Sequence, residues 1–284
     1  MSRHQRSLED RIHQHYIDLP KAERKLANLL LGFPGDVAAY SATELAELAG
    51  VSKAAATRLF QRLGFKNFDE ARRLARDARN WGAPLYMQSA GGPAGDFGAN
   101  RSAYLEDEFT GLTQTLESLP EDDVNSIISA LSSAPHLWII GYRYNHMIAT
   151  YGHWQFTQFR PNVHLLPVSG QTMGEYTSRM GKGDLVIISG IRRRTKNLPN
   201  LMEVVARSGA DILYLTDPTA RNSPGFATWT IRCTVSGGFM FDSYTAPISV
   251  LRYLSLKTFT AMGKTARAHL EKIERHHEYL SELA

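Results

Sequence analysis

The stretch that most constrains the fold is Ser41 to Phe65, SATELAELAGVSKAAATRLFQRLGF, which reads as two short helices joined by a tight turn. Ser41 is placed to cap the first helix, whose apolar Leu45, Leu48 and Ala49 share one face. Gly50 supplies a residue able to take left-handed backbone where that helix ends. Ser52 caps the second helix. There Ala56, Leu59, Phe60 and Leu63 recur at i, i+3, i+4 and i+7, so they face inward, and Gly64 stops the run. The opposite face carries Lys53, Thr57, Arg58, Gln61 and Arg62. Small Ala46, then Gly50, Val51, Ala56 and Leu59, is the spacing two helices need to cross closely around a short turn.

This is the pattern of a helix-turn-helix of the DNA-binding kind, in which the first helix crosses the backbone and the second enters the major groove by its N-terminal residues. The candidate DNA-binding residues are Ser41, Thr43, Ser52, Lys53, Thr57, Arg58, Arg62 and Lys66. Lys53, Thr57 and Arg58 are the expected readers of bases or phosphates. Paired amphipathic helices without DNA function also carry cations and alanines. DNA binding is favoured here by the agreement of cap, turn glycine, small crossing residue and basic outer face.

Charge follows the motif. Residues 1–80 hold 14 Lys and Arg against 10 Asp and Glu, while the remaining 204 residues of the 284 are balanced at 18 of each. A basic small domain beside a neutral larger one fits a nucleic-acid module attached to something else. The single cysteine, Cys233, excludes an intrachain disulfide and any cysteine-based zinc cluster, which fits a reducing compartment. No apolar run reaches membrane-spanning length, and the polar start MSRHQRSLED is unlike a secretory signal. A cytoplasmic location with no membrane contact is expected. The ten histidines show no metal-ligand spacing, so neither a metal nor a cofactor is expected.

Around the motif, Ser7 is placed to cap a helix over Leu8 to Tyr16, and Pro20 opens another with Leu26, Leu29, Leu30 and Phe33 as its stripe. After Gly64, FKNFDEARRLARDARN closes a bundle of about five helices. Its Arg72, Arg73, Arg76 and Arg79 either touch phosphates or solvate a surface helix. Residues 82–100 hold five glycines and two prolines with no helical or strand period, so they read as a linker. The expected organisation is an all-α helix-turn-helix domain at 1–80, a flexible linker at 81–100, and an α/β domain at 101–284.

Two helical stretches follow Arg101, the second near Asp122 to Leu131. The pattern then changes to short apolar runs alternating with amphipathic helices. LWIIG (137–141), VHLLP (163–167), DLVIIS (184–189) and DILYLT (211–216) read as buried strands, with ATWTIRC (227–233) a fifth. This rhythm implies a five-stranded parallel sheet flanked by helices, with ligands at the strands' carboxyl ends. The last fifty residues are helical. Their stripe of Ile248, Leu251, Leu254 and Leu256 to Phe259 suits either a dimer interface or ordinary core of the same subunit.

Taken together, ATELAELAGVSKAAATRLFQRLGF, then LWIIG, DLVIIS and GADILYLTD in that order, resemble the RpiR family of bacterial transcription regulators, whose C-terminal part is a sugar isomerase (SIS) domain. The resemblance runs through nearly the whole chain. It implies a homodimer or homotetramer reading an inverted repeat in double-stranded DNA, and a small-metabolite sensor in the SIS domain. Where such domains bind phosphosugars, the family uses a Gly-x-Gly-x-Ser turn after the first strand and a Ser-x-Ser-Gly-x-Thr loop after the third. Here the first turn is Gly141-Tyr142-Arg143-Tyr144-Asn145, and the second is Gly190-Ile191-Arg192-Arg193-Arg194-Thr195, which keeps only the threonine. Arginine in place of glycine and serine fills a phosphate cradle with side chain and adds positive charge.

The ligand-binding candidates are therefore Gly141, Tyr142, Arg143, Asn145, Arg192, Arg193, Arg194 and Thr195, with Ser169 and Thr172 in the SGQT turn at the same sheet end. One reading has Arg143 and some of Arg192 to Arg194 meeting a phosphate or carboxylate. The other has them in ion pairs or facing water. On the DNA side, Ala55 stands where the family usually carries threonine, which removes one hydroxyl contact. The alternative function is a sugar-phosphate isomerase with a helical N-terminal appendage, its base drawn from His136, His146 or Glu175.

Overall fold

The structure is a computed structural model, described for residues 8–32, 36–80, 100–220, 223–235 and 241–282. Ser7, Phe33 and the glycine-rich stretch up to Ala99 lie outside the described residues. The chain divides into two compact units, whose main boundary lies between Arg101 and Ser102.

The first unit is helical: α1 (Leu8–His15), α2 (Lys21–Gly32), α3 (Asp36–Ala39), α4 (Ala42–Leu48), α5 (Lys53–Arg62) and α6 (Phe68–Asn80). The short α3 adds a turn to the five helices expected. Its core gathers Leu8 and Ile12 of α1, Leu26 and Leu30 of α2, Leu45 of α4, Leu59 and Phe60 of α5, and Ala71 and Ala75 of α6.

In the second unit α7 (Arg101–Glu117) and α8 (Glu121–Ser133) precede β1 (Leu137–Gly141), α9 (Tyr144–Thr157), β2 (Val163–Leu166), α10 (Gly174–Thr177) and β3 (Leu185–Gly190). There follow α11 (Leu198–Arg207), β4 (Asp211–Thr216), β5 (Trp229–Arg232), α12 (Thr245–Met262) and α13 (Lys264–Leu280). The strands form one sheet in the order β2-β1-β3-β4-β5, and each neighbouring pair is parallel.

A continuous apolar run becomes a central strand because it must bury both of its faces. Leu137, Ile139, Leu185, Ile187, Leu213 and Leu215 pack with α8, α9 and α12 on one side. Their alternating neighbours Trp138, Ile140, Val186, Ile188, Ile212 and Tyr214 pack with α11 on the other. Much of the broad stripe on α12 is core of the same subunit: Leu251 and Leu254 are fully buried, while Leu256 is exposed.

This strand order places the switch point between β1 and β3. β1 runs on into α9 on one face and β3 into α11 on the other, so a crevice opens between the two turns at the sheet's carboxyl end.

Candidate nucleic-acid interface and switch-point crevice

The helix pair α4–α5 is terminated by the residues that sequence singles out. Ser41 Oγ accepts from Glu44 N at 3.2 Å while Glu44 Oε2 accepts from Ser41 N at 2.6 Å, a reciprocal capping box. At the other end of α4, Gly50 has φ +62°. Its N–H donates to the Glu47 carbonyl at 3.0 Å, and Val51 N donates to that of Ala46 at 2.8 Å. This is a Schellman stop, which a residue with a Cβ enters only at a cost.

Ser52 Oγ caps α5 through Ala55 N at 3.2 Å. The same stop then recurs at Gly64, whose N–H donates to Gln61 O while Phe65 N donates to Phe60 O, each at 3.0 Å. Phe65 completes it by meeting Phe60 edge-on with ring centroids 6.4 Å apart.

These stops fix which side chains of α5 face out. Ala56, Leu59 and Phe60 are buried, and Lys53, Thr57, Arg58, Gln61 and Arg62 are exposed. Thr57 Oγ1 donates to the Lys53 carbonyl at 3.1 Å. Thr43 and Lys66 are also exposed. Two expectations change here. Ala55 is buried, so its methyl group belongs to the inner face and its position removes no outward hydroxyl. Leu48, placed by periodicity on the same face as Leu45, is 49% exposed, while Ala46, the expected crossing residue, is buried. Sequence periodicity also missed Glu23 of α2: it is buried, and Arg62 Nε donates to its Oε2 at 2.9 Å.

In the second unit the two turns of the crevice are joined by Asn145. Its Oδ1 accepts from Ser189 Oγ and from Ile191 N, each at 2.8 Å, and its Nδ2 donates to Ile191 O at 3.1 Å. Gly141 permits the turn that brings Asn145 there, because a Cβ on it would stand 2.1 Å from the Asn145 carbonyl oxygen. Gly190 is also enclosed, with side-chain atoms of Leu198 and Tyr214 at 2.7 Å from where a Cβ would be.

The arginines divide into two classes. Arg192, at φ +56°, is buried; its N–H donates to Asp217 Oδ2 at 2.6 Å and its Nε to Asp242 Oδ1 at 2.9 Å. Arg194 pairs with the buried Asp217. Its guanidinium also donates to Gly190 O at 2.7 Å, Thr216 Oγ1 at 3.0 Å and Thr219 Oγ1 at 3.2 Å. By contrast Arg143, at φ +59° as the residue preceding α9, and Arg193 are exposed. Thr195 Oγ1 is buried with no hydrogen-bond partner. Burial raises the Tyr142 phenol above its ordinary range. It also raises that of Tyr244, with Asp242 adding to the effect, up to about 12. Tyr244 stacks on Tyr144 at a centroid distance of 6.1 Å, an aromatic pair that the sequence motifs do not mark.

Thus the geometry brings Arg143, Asn145 and the Gly190–Thr195 loop together, but commits Asn145, Arg192 and Arg194 to contacts within the chain. Ser169 is exposed, and Thr172 Oγ1 donates to Glu175 Oε2 at 2.6 Å. The three residues considered as a base are engaged as well. His136 precedes β1, at the opposite end of the sheet, with its Nδ1 3.1 Å from His164 Nε2. His146 Nδ1 lies 3.3 Å from the Gly141 carbonyl, and the hydrogen bond from Thr172 holds the Glu175 carboxyl below the usual range. Among the described residues no group of three His, Cys, Asp or Glu side chains is placed to hold a metal ion, and no helix is long and apolar enough to cross a membrane.

The helix-turn-helix domain of the rpiR family matches residues 6–78, and the SIS domain matches residues 130–257. Two relatives are similar over most of this chain. The bifunctional protein glk of Burkholderia thailandensis is 23% identical over 261 residues, which cover 91% of this chain and 40% of that protein. The HTH-type transcriptional regulator HexR of Pseudomonas aeruginosa is 24% identical over 283 residues, covering 95% of each. Among solved structures, the Vibrio vulnificus NanR protein complexed with ManNAc-6P superposes with a TM-score of 0.57 at 16% identity, covering 96% of this chain and 99% of that one.

Proposed function

The chain belongs to the RpiR family, and from that premise we propose that it is a DNA-binding transcriptional regulator whose SIS domain senses a small anionic metabolite. One observation carries the DNA half: two capped helices crossing at Gly50, with Lys53, Thr57 and Arg58 turned outward at the start of the second. The experiment is salt-dependent binding to fragments of its own upstream DNA. Lys53→Ala and Arg58→Ala are expected to abolish site preference, and unchanged preference in both overturns the assignment.

For the ligand half, the exposed Arg143 and Arg193 flank the switch point and carry the charge left after Asp217 and Asp242 have matched Arg194 and Arg192. A sugar phosphate is the first candidate, supported by the SIS domain and by the ManNAc-6P bound to the NanR neighbour. In this reading Arg143, Arg193 and Thr195, with the backbone of the Gly141–Tyr142 turn, meet the anion, and the Tyr144–Tyr244 pair walls the crevice. Asn145, Arg192 and Arg194 shape the loops and do not touch ligand. Isothermal titration with sugar phosphates and carboxylates, against their neutral parents, tests this. The expectation is binding of anions alone, lost in Arg143→Ala and Arg193→Ala.

The protein acts as a regulator and not as an isomerase, because His136, His146 and Glu175 are bound up in contacts of their own. It works in the cytoplasm as a homodimer or homotetramer, since an inverted repeat needs two heads spaced by a helical turn of DNA, ~34 Å, or a multiple of it. Exposed Tyr144, Met147 and Trp154 on α9 offer an apolar face for the second copy. Ligand shifts DNA affinity by favouring one relative pose of the heads.

A further inference from the structure

We propose that Glu23 is a positioning residue for DNA recognition, which withholds the charge of Arg62 from the phosphates and sets the direction of Arg58. The proposal rests on the DNA-binding reading above. Glu23 sits in the first turn of α2, is 2% exposed, and belongs to a different helix from the residues it holds. Its Oε2 accepts from Arg62 Nε at 2.9 Å and its Oε1 lies 3.6 Å from Arg58 Nε. The two arginines are one turn apart on α5, so a single carboxylate lies between two guanidinium groups that otherwise repel each other.

The pair differs from an ordinary buried ion pair in that both arginines remain reachable. Their side chains are 60% and 42% exposed, while the carboxylate is enclosed. The longer, more exposed contact belongs to Arg58, nearer the start of α5, where a recognition helix reads bases. The shorter belongs to Arg62, at its end. A guanidinium held by a carboxylate contributes less to counterion release than a free one. Glu23 therefore reduces the sequence-independent part of the affinity while leaving the reading end its charge.

The test is binding of the full chain, across salt concentrations, to its own upstream DNA and to a scrambled duplex of equal length. Glu23→Gln keeps the shape of the side chain and removes its charge. Expected are a steeper salt dependence, by roughly one unit of log K per log [salt] for the Arg62 guanidinium released, tighter binding to the scrambled duplex, and a reduced preference for the upstream fragment. Arg62→Gln is expected to leave the slope unchanged, since Arg62 is not meeting a phosphate, and Glu23→Gln/Arg62→Gln to return to the wild-type slope. A purely structural Glu23 gives lower melting temperatures with slope and preference unmoved, which overturns the proposal. So does a slope that becomes shallower by about one unit in Arg62→Gln, the arm that decides if Glu23→Gln does not fold. A wild type that binds both duplexes equally defeats the site-specific regulator, while the slopes on the scrambled duplex still decide whether Glu23 withholds Arg62. No duplex binding at all overturns both.

Discussion

The side chain of Asn145, at the start of α9, hydrogen-bonds the backbone of Ile191, beyond β3, in both directions: it accepts from the N–H and donates to the carbonyl. These are the two turns that flank the switch point, so one buried amide sets their separation. Arg143 and Arg193, both exposed, belong to these two turns, two residues from Asn145 and from Ile191 respectively.

Asn145→Leu, close in size but without hydrogen-bonding groups, leaves Ser189 Oγ and the Ile191 N–H and carbonyl without this partner in a buried place. The expected loss is about 2–4 kcal/mol, since each buried group left unsatisfied costs roughly 1–3 kcal/mol and Ser189 can turn to another acceptor. Urea denaturation followed by tryptophan fluorescence measures it, because three of the four tryptophans, Trp138, Trp154 and Trp229, lie in the second unit. A loss below half a kilocalorie per mole (~0.5) contradicts a bracing role.

Arg194→Leu strands Asp217, whose carboxylate is almost wholly enclosed. Removing one partner of a buried pair typically costs about 3–5 kcal/mol. Asp217 keeps the Arg192 and Thr219 amides and the Thr219 hydroxyl, so the low end, ~3 kcal/mol, is expected. Adding Asp217→Asn should recover part of that loss, because the stranded charge is gone. A double mutant less stable than the single one rules this account out.

Sequence made the layers and the helix-turn-helix legible because both rest on local signals. Ser41, Gly50, Ser52 and Gly64 act within a few residues, and the apolar runs of β1, β3 and β4 need a sheet buried on both faces. The fate of the arginines was not legible. Arg192 and Arg194 share one loop, yet their partners Asp242 and Asp217 stand 50 and 23 positions away, and no periodicity points to them. Glu23 escaped for the same reason: in α2 it reads as one polar residue in an amphipathic helix, and only the packing of α2 on α5 reveals its role. Ala55 is the opposite case: comparison with a family pattern places it outward, although it faces the core.

Cys233 is fully buried, and burial, with the Asp217 charge adding to it, pushes its thiol up to about 12. Since the thiolate is the reactive form, a disulfide reagent added at neutral pH should leave the folded protein unmodified. One equivalent should react after denaturation in guanidinium. Rapid labelling under native conditions means that the second unit opens readily around β5.

The final prediction concerns acid. His164 stacks on Trp138 at 4.1 Å between centroids. Its burial first, then the charges of His136 and Arg179, holds its pKa below the ordinary 6.5; burial also lowers His153. A lowered folded-state pKa means that between it and 6.5 the unfolded chain binds protons that the folded chain refuses. The histidine contribution to stability should therefore be flat above about pH 7.5, fall as pH drops through the ordinary histidine range, and level off below the folded-state values. Ordinary carboxylates titrate near 4, beneath this window. His164→Phe keeps a ring against Trp138 and removes the ionisable group, so the melting temperature of the second unit should fall less between pH 7.5 and 5.5 than in the wild type. Parallel profiles for the two proteins assign the acid sensitivity to other groups and remove His164 from the account.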